Sequence, residues 1–256
     1  MDYDNNNKGH AQGPGSNGES GGLSLVKTEE GIHTLYSTKR HEHYHSLQGS
    51  LSEGMQVFIR NGLLTLKNKL KEVRILEMGF GTGLNAILTF RENQVLHKKI
   101  HYTAVEAFPL PAAVTDKLNY FEYFGKPLQP VFQAMHSCPW FENVLLLPEP
   151  STHADSVAMR KDKGTFVLYK IEADLLELQL DGSYDLIYYD AFSPTHQPEL
   201  WTFEVLQKIY DASKKGAILV TYCSNNHVKK TLEAVGFTVE SLPGAAGRRE
   251  MIRAVK

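Results

Sequence analysis

From Val73 onward the chain alternates two kinds of segment. VRILEM (73–78), IHYTAVE (100–106), TFVLYKIEAD (165–174), YDLIYYD (184–190) and GAILVTY (216–222) are near-continuous apolar runs rich in β-branched and aromatic residues. Between and after them, LNAILTFRENQ (84–94), FEVLQKIYDASKK (203–215) and HVKKTLEAVG (227–236) carry apolar residues at helical spacing. Strands apolar on both faces, alternating with helices, predict a mostly parallel sheet covered on both sides. Phe237 to Leu242 and Glu250 to Val255 close the chain as two neighbouring strands, too near each other for a crossover, so that end is antiparallel.

Before Val73 the pattern is less regular. GIHTLYSTKRHEHYHS (31–46) reads as a short strand or hairpin and a loop. Between Leu51 and Leu70 two signals compete. Asn61-Gly62 is a two-residue hairpin signal, whereas Leu51, Met55, Phe58, Gly62, Leu66 and Leu70 recur at steps of three or four. The spacing favours a helix. The stretch from Glu106 to Thr165 is longer than a crossover needs and is punctuated by seven prolines, from Pro109 to Pro150. It predicts a helical insertion over about 109–163, beside the sheet. The organisation is then a disordered tail over 1–22, an N-terminal extension over 23–72, and the α/β domain over 73–256.

Composition narrows the function classes. Residues 1–22 lack the apolar side chains to form a core, and also the apolar run of a signal peptide. No stretch of about 18 apolar residues exists to span a membrane. Lys and Arg number 27 against 29 Asp and Glu, so no global basic field attracts nucleic acid and any such partner must be held by local patches. Two cysteines, Cys138 and Cys223, are too few for a disulfide framework or a structural zinc site. A cytoplasmic protein is expected. His41, His43 and His45 alternate, but no carboxylate or cysteine set accompanies them, so no metal is expected.

The chemistry is concentrated at strand ends. EMGFGTGLNA places Glu77 near the end of one strand, then Gly79, Gly81 and Gly83, then a helix. In an open α/β sheet, ligands bind beyond the carboxyl ends of the strands. The dinucleotide pattern G-x-G-x-x-G fails here, because Leu84 stands where its third glycine belongs. The observed E-x-G-x-G-x-G resembles instead the S-adenosylmethionine (SAM) loop of Rossmann-like methyltransferases. Cofactor-binding candidates are Glu77, Gly79, Phe80, Gly81, Gly83 and Asn85, with Glu106 for the ribose hydroxyls and Asp174 for the adenine amine. Glu106 and Asp174 also read as solvated strand-end acids. Asp190 is both a cofactor-facing and a catalytic candidate, suited to accept a hydrogen bond from an amine; otherwise it is a turn acid or helix cap. Phe192 and Pro194 shape a stiff loop after it. Trp201 reads either as a stacking face or, with more weight, as packing for the next helix.

GSLSEGMQVFI, EMGFGTGLNA, VEAFPL, YYDAFSPTHQPELWT and GRREM occur in that order. Together, from about Tyr44 to Lys256, they resemble the methyltransferase half of the MnmC tRNA-modifying family, in its stand-alone MnmD form without the FAD-dependent oxidase domain. The resemblance implies a Rossmann-like class I SAM-dependent methyltransferase with a seven-stranded sheet. It implies methylation of the amine of 5-aminomethyl-2-thiouridine at the tRNA wobble position. It also adds Tyr44, Glu53, Arg248 and Arg249 as substrate-side residues, tRNA as partner, and the enzyme complex that installs the aminomethyl group as a further one. Methyl or aminopropyl transfer to a small amine is the competing enzymatic reading. A nicotinamide oxidoreductase is disfavoured by Leu84, and a non-catalytic RNA-binding or scaffold protein by the Glu77, Glu106 and Asp190 set.

Overall fold

The computed structural model describes residues 22–66, 68–148, 164–180 and 182–256. The expected tail therefore lies outside the described residues except for Gly22, as do residues 149–163 of the insertion.

Three short strands begin the chain. β1 (Leu23–Lys27), β2 (His33–Ser37) and β3 (Glu42–His43) form a separate antiparallel sheet in that order. Helix α1 (Ser50–Gly54) runs into a wide π-type turn at Met55–Arg60 and then, after Asn61-Gly62, a 3₁₀ turn at Leu63–Leu66. The expected helix is thus helical but broken, and the hairpin signal does not produce a hairpin. Asn61 has φ −91°, whereas a type I′ hairpin turn needs positive φ at that position. Gly62 is needed for contact instead: a Cβ there would collide with the Phe58 carbonyl oxygen and come within 3.2 Å of both Tyr188 and Val220.

The main domain follows with β4 (Glu72–Met78), α2 (Leu84–Leu96) and β5 (Lys99–Glu106). The insertion supplies α3 (Ala112–Thr115), α4 (Tyr120–Phe124), α5 (Gln129–Ser137) and a strand, β6 (Asn143–Leu146). Then come β7 (Thr165–Glu172), β8 (Tyr184–Tyr189), α6 (Phe203–Ala212), β9 (Ser213–Thr221), α7 (Asn226–Ala234), β10 (Thr238–Pro243) and β11 (Glu250–Val255).

Among the described residues the main sheet has eight strands, ordered β10-β11-β9-β8-β4-β5-β7-β6. The seven expected strands are present, and β6 extends them at one edge by pairing antiparallel with β7. β5–β7, β4–β5, β4–β8 and β8–β9 are parallel, while β11 and β10 run antiparallel. All six residues of β8 are buried, as expected of a central parallel strand. Helix α6 stops at Ala212, so Ser213, Lys214 and Lys215 belong to β9 and not to the helix expected from the sequence. The order reverses between β4 and β8, which places a crevice above Met78 and Tyr189.

Candidate active site

The glycine loop leaves β4 where Gly79 N–H and Phe80 N–H both donate to the Val105 carbonyl of β5, at 3.0 and 3.3 Å. Gly79 has φ +88°, and a Cβ there would sit 2.9 Å from the Asp190 carbonyl oxygen. The tips of β4 and β8 can approach this closely only with glycine at that position. Gly83, also left-handed at φ +74°, starts α2.

A cleft of about 520 Å³ opens beyond these strand ends. Gly79, Phe80, Gly81, Asn85, Glu106, Asp174 and Asp190 line it, with Tyr44 and Phe192 opposite. Of the expected residues, Glu77, Gly83, Glu53, Pro194, Arg248 and Arg249 do not line it. Glu77 is 0% exposed, and neither carboxyl oxygen has a hydrogen bond of good geometry. Burial drives its carboxyl well above the usual range, and the nearby Asp190 charge adds to this. Glu77 therefore sits beneath the wall of the cleft and not at its surface.

Asp190 closes β8, and its backbone N–H donates to Met78 O at 3.1 Å. Its Oδ2 accepts a 2.7 Å hydrogen bond from Asn85 Nδ2 on the first turn of α2. Burial first, then the Glu53 charge, push its carboxyl up to about 7; the Asn85 hydrogen bond and Arg248 oppose that rise. A carboxyl poised there exchanges a proton near neutral pH.

Glu106 closes β5. Its Oε2 accepts from Gly81 N at 2.9 Å and its Oε1 from Phe108 N at 2.8 Å. Each oxygen keeps a lone pair for a further donor. Asp174 is exposed, and its Oδ1 accepts from Leu176 N at 2.9 Å, capping the turn after β7.

The wall opposite the glycine loop comes from the N-terminal extension. The Tyr44 ring stands edge-on to Phe192, 5.0 Å between centroids, and a Cβ on Gly81 would come 3.2 Å from Tyr44. The loop after Asp190 is tied to this extension. Ser193 N and Oγ both donate to Glu42 Oε2, and Arg40 Nη1 donates to Glu199 Oε1 at 3.1 Å. Trp201 is 2% exposed and offers no free face; its Nε1 donates to the Phe192 carbonyl at 2.9 Å. It holds the loop up from below. His45 is half-buried at the cleft, and desolvation there holds its imidazole down to about 4, so it is neutral beside Thr34 and Thr82. Among the described residues no group of three or more His, Cys, Asp or Glu is placed to hold a metal, and no helix is long and apolar enough to cross a membrane.

Residues 143–256 match the model of a family described as S-adenosyl-L-methionine-dependent methyltransferase. The tRNA 5-methylaminomethyl-2-thiouridine biosynthesis bifunctional protein MnmC of Paracidovorax citrulli (strain AAC00-1) is 30% identical over 225 residues, covering 86% of this chain and 34% of the relative. The protein of the same name from Azoarcus sp. (strain BH72) is 29% identical over 236 residues, covering 90% and 35%. The solved structure of MNMC2 from Aquifex aeolicus shares the fold, with a TM-score of 0.71 at 24% identity over 92% of this chain and 70% of that one. The chain carries an S-adenosyl-L-methionine-dependent methyltransferase domain. It spans about a third of the length of the curated relatives it matches.

The residues of this methyltransferase domain fit the cofactor. Gly79 and Gly81 leave the cleft floor without side chains, and a Cβ at either would meet Asp190 O or Tyr44. Glu106 presents a carboxylate with spare lone pairs to the same cleft. Sequence reasoning missed Glu42, Arg40 and Tyr222. The first two lie in the histidine-rich stretch, where nothing marks them from their neighbours. Tyr222 lines the cleft from the end of β9, and the GAILVTY run could have flagged it as one more strand-end residue.

Proposed function

We propose that the domain transfers a methyl group from SAM to the amine of 5-aminomethyl-2-thiouridine at the wobble position of tRNA. The observation that carries this reading is Asp190: a carboxylate at the cleft wall, oriented by Asn85 and raised to about 7 by burial and the Glu53 charge. The names of the relatives supply the tRNA nucleoside.

When bound, SAM supplies a methyl carbon on a sulfonium, open to in-line displacement. Glu106 would hold the ribose hydroxyls through its spare lone pairs, and Asp174 the adenine amine. The first turn of α2 lines the same cleft through Leu84 and Asn85, and a helix N-terminus favours a carboxylate. Asp190 accepts a hydrogen bond from the substrate amine and so aims its lone pair. A primary amine is mostly protonated near pH 7, and a carboxylate at its reference value near 3.9 is a poor base for it. Raised to about 7, Asp190 is matched to take that proton before the lone pair attacks the methyl carbon, forming the N–C bond and displacing the neutral thioether. Holding the amine and the methyl donor in line can supply up to roughly 7–11 kcal/mol of the barrier. Phe192 and Tyr44 offer aromatic walls for the uracil ring, and stacking of this kind is worth about 1–3 kcal/mol per base. Arg249 would meet phosphate.

This reading carries a cytoplasmic location and an upstream enzyme complex that installs the aminomethyl group. The test offers the protein labelled SAM with either unmethylated tRNA or spermidine. Label in the tRNA supports the reading; label in the polyamine alone refutes it.

A further inference from the structure

Two residues expected on the substrate side, Glu53 and Arg248, instead face each other. Glu53 is 6% exposed in α1; its Oε2 accepts from Ser46 N at 3.2 Å, and its Oε1 accepts from Arg248 Nε. The guanidinium comes from the β10–β11 connection, 195 positions away. It also lies 4.4 Å over the Tyr222 ring. The Tyr222 hydroxyl donates to the Ala191 carbonyl at 2.9 Å, one residue after Asp190. A continuous path therefore runs from the N-terminal extension, through the closing hairpin and the end of β9, to the backbone that carries Asp190.

The ionisable groups acting on Asp190 are Glu53 from α1, Glu77 from β4, Tyr102 from β5, Tyr120 from α4, Tyr222 from the end of β9 and Arg248 from the β10–β11 connection. Burial raises the pKa of Glu77 and of the three tyrosines and so favours their neutral forms. Glu53 and Arg248 are left as the charges of opposite sign beside the carboxyl.

We propose that Glu53 and Arg248 form a positioning pair for the methyl-acceptor subsite, fixing the backbone beside Asp190 through Tyr222. The proposal rests on the reading of Asp190 as the amine-binding group. It converts two presumed substrate contacts into one internal device. It also makes the N-terminal extension part of the catalytic centre, because α1 supplies the anion.

The test follows the Asp190 carboxyl directly, by ¹³C NMR of protein labelled at aspartate, with Asp190→Asn identifying the resonance. Glu53→Gln keeps an acceptor for Ser46 N–H but removes the anion, and moves the titration midpoint down. Arg248→Met removes the cation and moves it up. Shifts of about 0.5–1 pH unit are expected. In the double variant the midpoint returns towards that of the parent, and the acid limb of kcat/KM follows the same order. Midpoints that stay fixed, or that move together in one direction, overturn the proposal. Arg248 is 40% exposed, so its variant decides the question alone if Glu53→Gln does not fold. The NMR midpoints need no RNA, so a failure of wobble methylation by the parent protein is distinguishable from a failure of the pair.

Discussion

Asn85 Nδ2 donates to Asp190 Oδ2 across 2.7 Å, joining the first turn of the glycine-loop helix to the end of β8. One amide thus holds the two halves of the crevice in register. Asn85 is 3% exposed, so no water replaces it readily. A hydrogen bond to a charged group is worth about 1.5–3 kcal/mol. Asn85→Leu is expected to lower kcat/KM at pH 7 by about 10- to 100-fold and to move its acid limb upward. A pH–rate profile of the variant checks both, and an unmoved limb would separate Asn85 from Asp190.

Asp190 gives a stability prediction of definite sign. Its carboxyl rises from 3.8 to about 7 on folding. The folded state therefore favours the protonated form, and that contribution is complete below pH 3.8 and lost as pH rises through about 7. Asp190→Asn, neutral at every pH, is expected to melt higher than the parent at pH 8, by several degrees, and the gap should close towards pH 4. Differential scanning fluorimetry across that range measures it. A gap independent of pH would mean that the carboxyl is not raised. The same variant should retain SAM binding and lose turnover.

Gly79 and Gly216 separate crowding from strain. Both have positive φ, +88° and +80°. A Cβ at Gly79 would meet the Asp190 carbonyl at 2.9 Å, whereas at Gly216 nothing lies within 4 Å. Each Gly→Ala change carries a backbone cost of order 1–3 kcal/mol. Only Gly79→Ala should weaken SAM binding, by more than 10-fold in calorimetric titration, because only there does the added carbon push the two strand ends apart.

Trp201 positions the loop from underneath. Trp201→Phe removes the Nε1–H donated to the Phe192 carbonyl and keeps much of the packing against Tyr189. The expected outcome is a stability loss of about 1–2 kcal/mol, a raised KM for the nucleic-acid substrate and an unchanged affinity for SAM. Denaturant melts and steady-state kinetics check the three together.

What the sequence made legible was whatever is written locally. β4, β5 and β8 are continuous apolar runs, and Asp190 stands out because a fully buried strand ends in a charge. β6 was not legible: its four residues are too short to show a period, and only the edge of β7 recruits them. At Gly62 the glycine of the hairpin signal meets a packing need instead, since an added Cβ would collide with the Phe58 carbonyl oxygen and crowd Tyr188 and Val220. The pairing of Glu53 with Arg248 joins opposite ends of the chain, and nothing local encodes it. Glu77 reads as a cofactor ligand from its motif, yet the structure buries it completely, a fact set by the layer above β4.

The cleft is proposed to methylate the amine of the wobble nucleoside. The most direct measurement incubates the protein with SAM and tRNA bearing 5-aminomethyl-2-thiouridine, then digests the tRNA and weighs its nucleosides by mass spectrometry. The proposed methylation requires conversion of that nucleoside to its methylaminomethyl form by the parent protein and none by Asp190→Asn. An unmodified nucleoside after incubation with protein shown to bind SAM, or equal conversion by the variant, would contradict it.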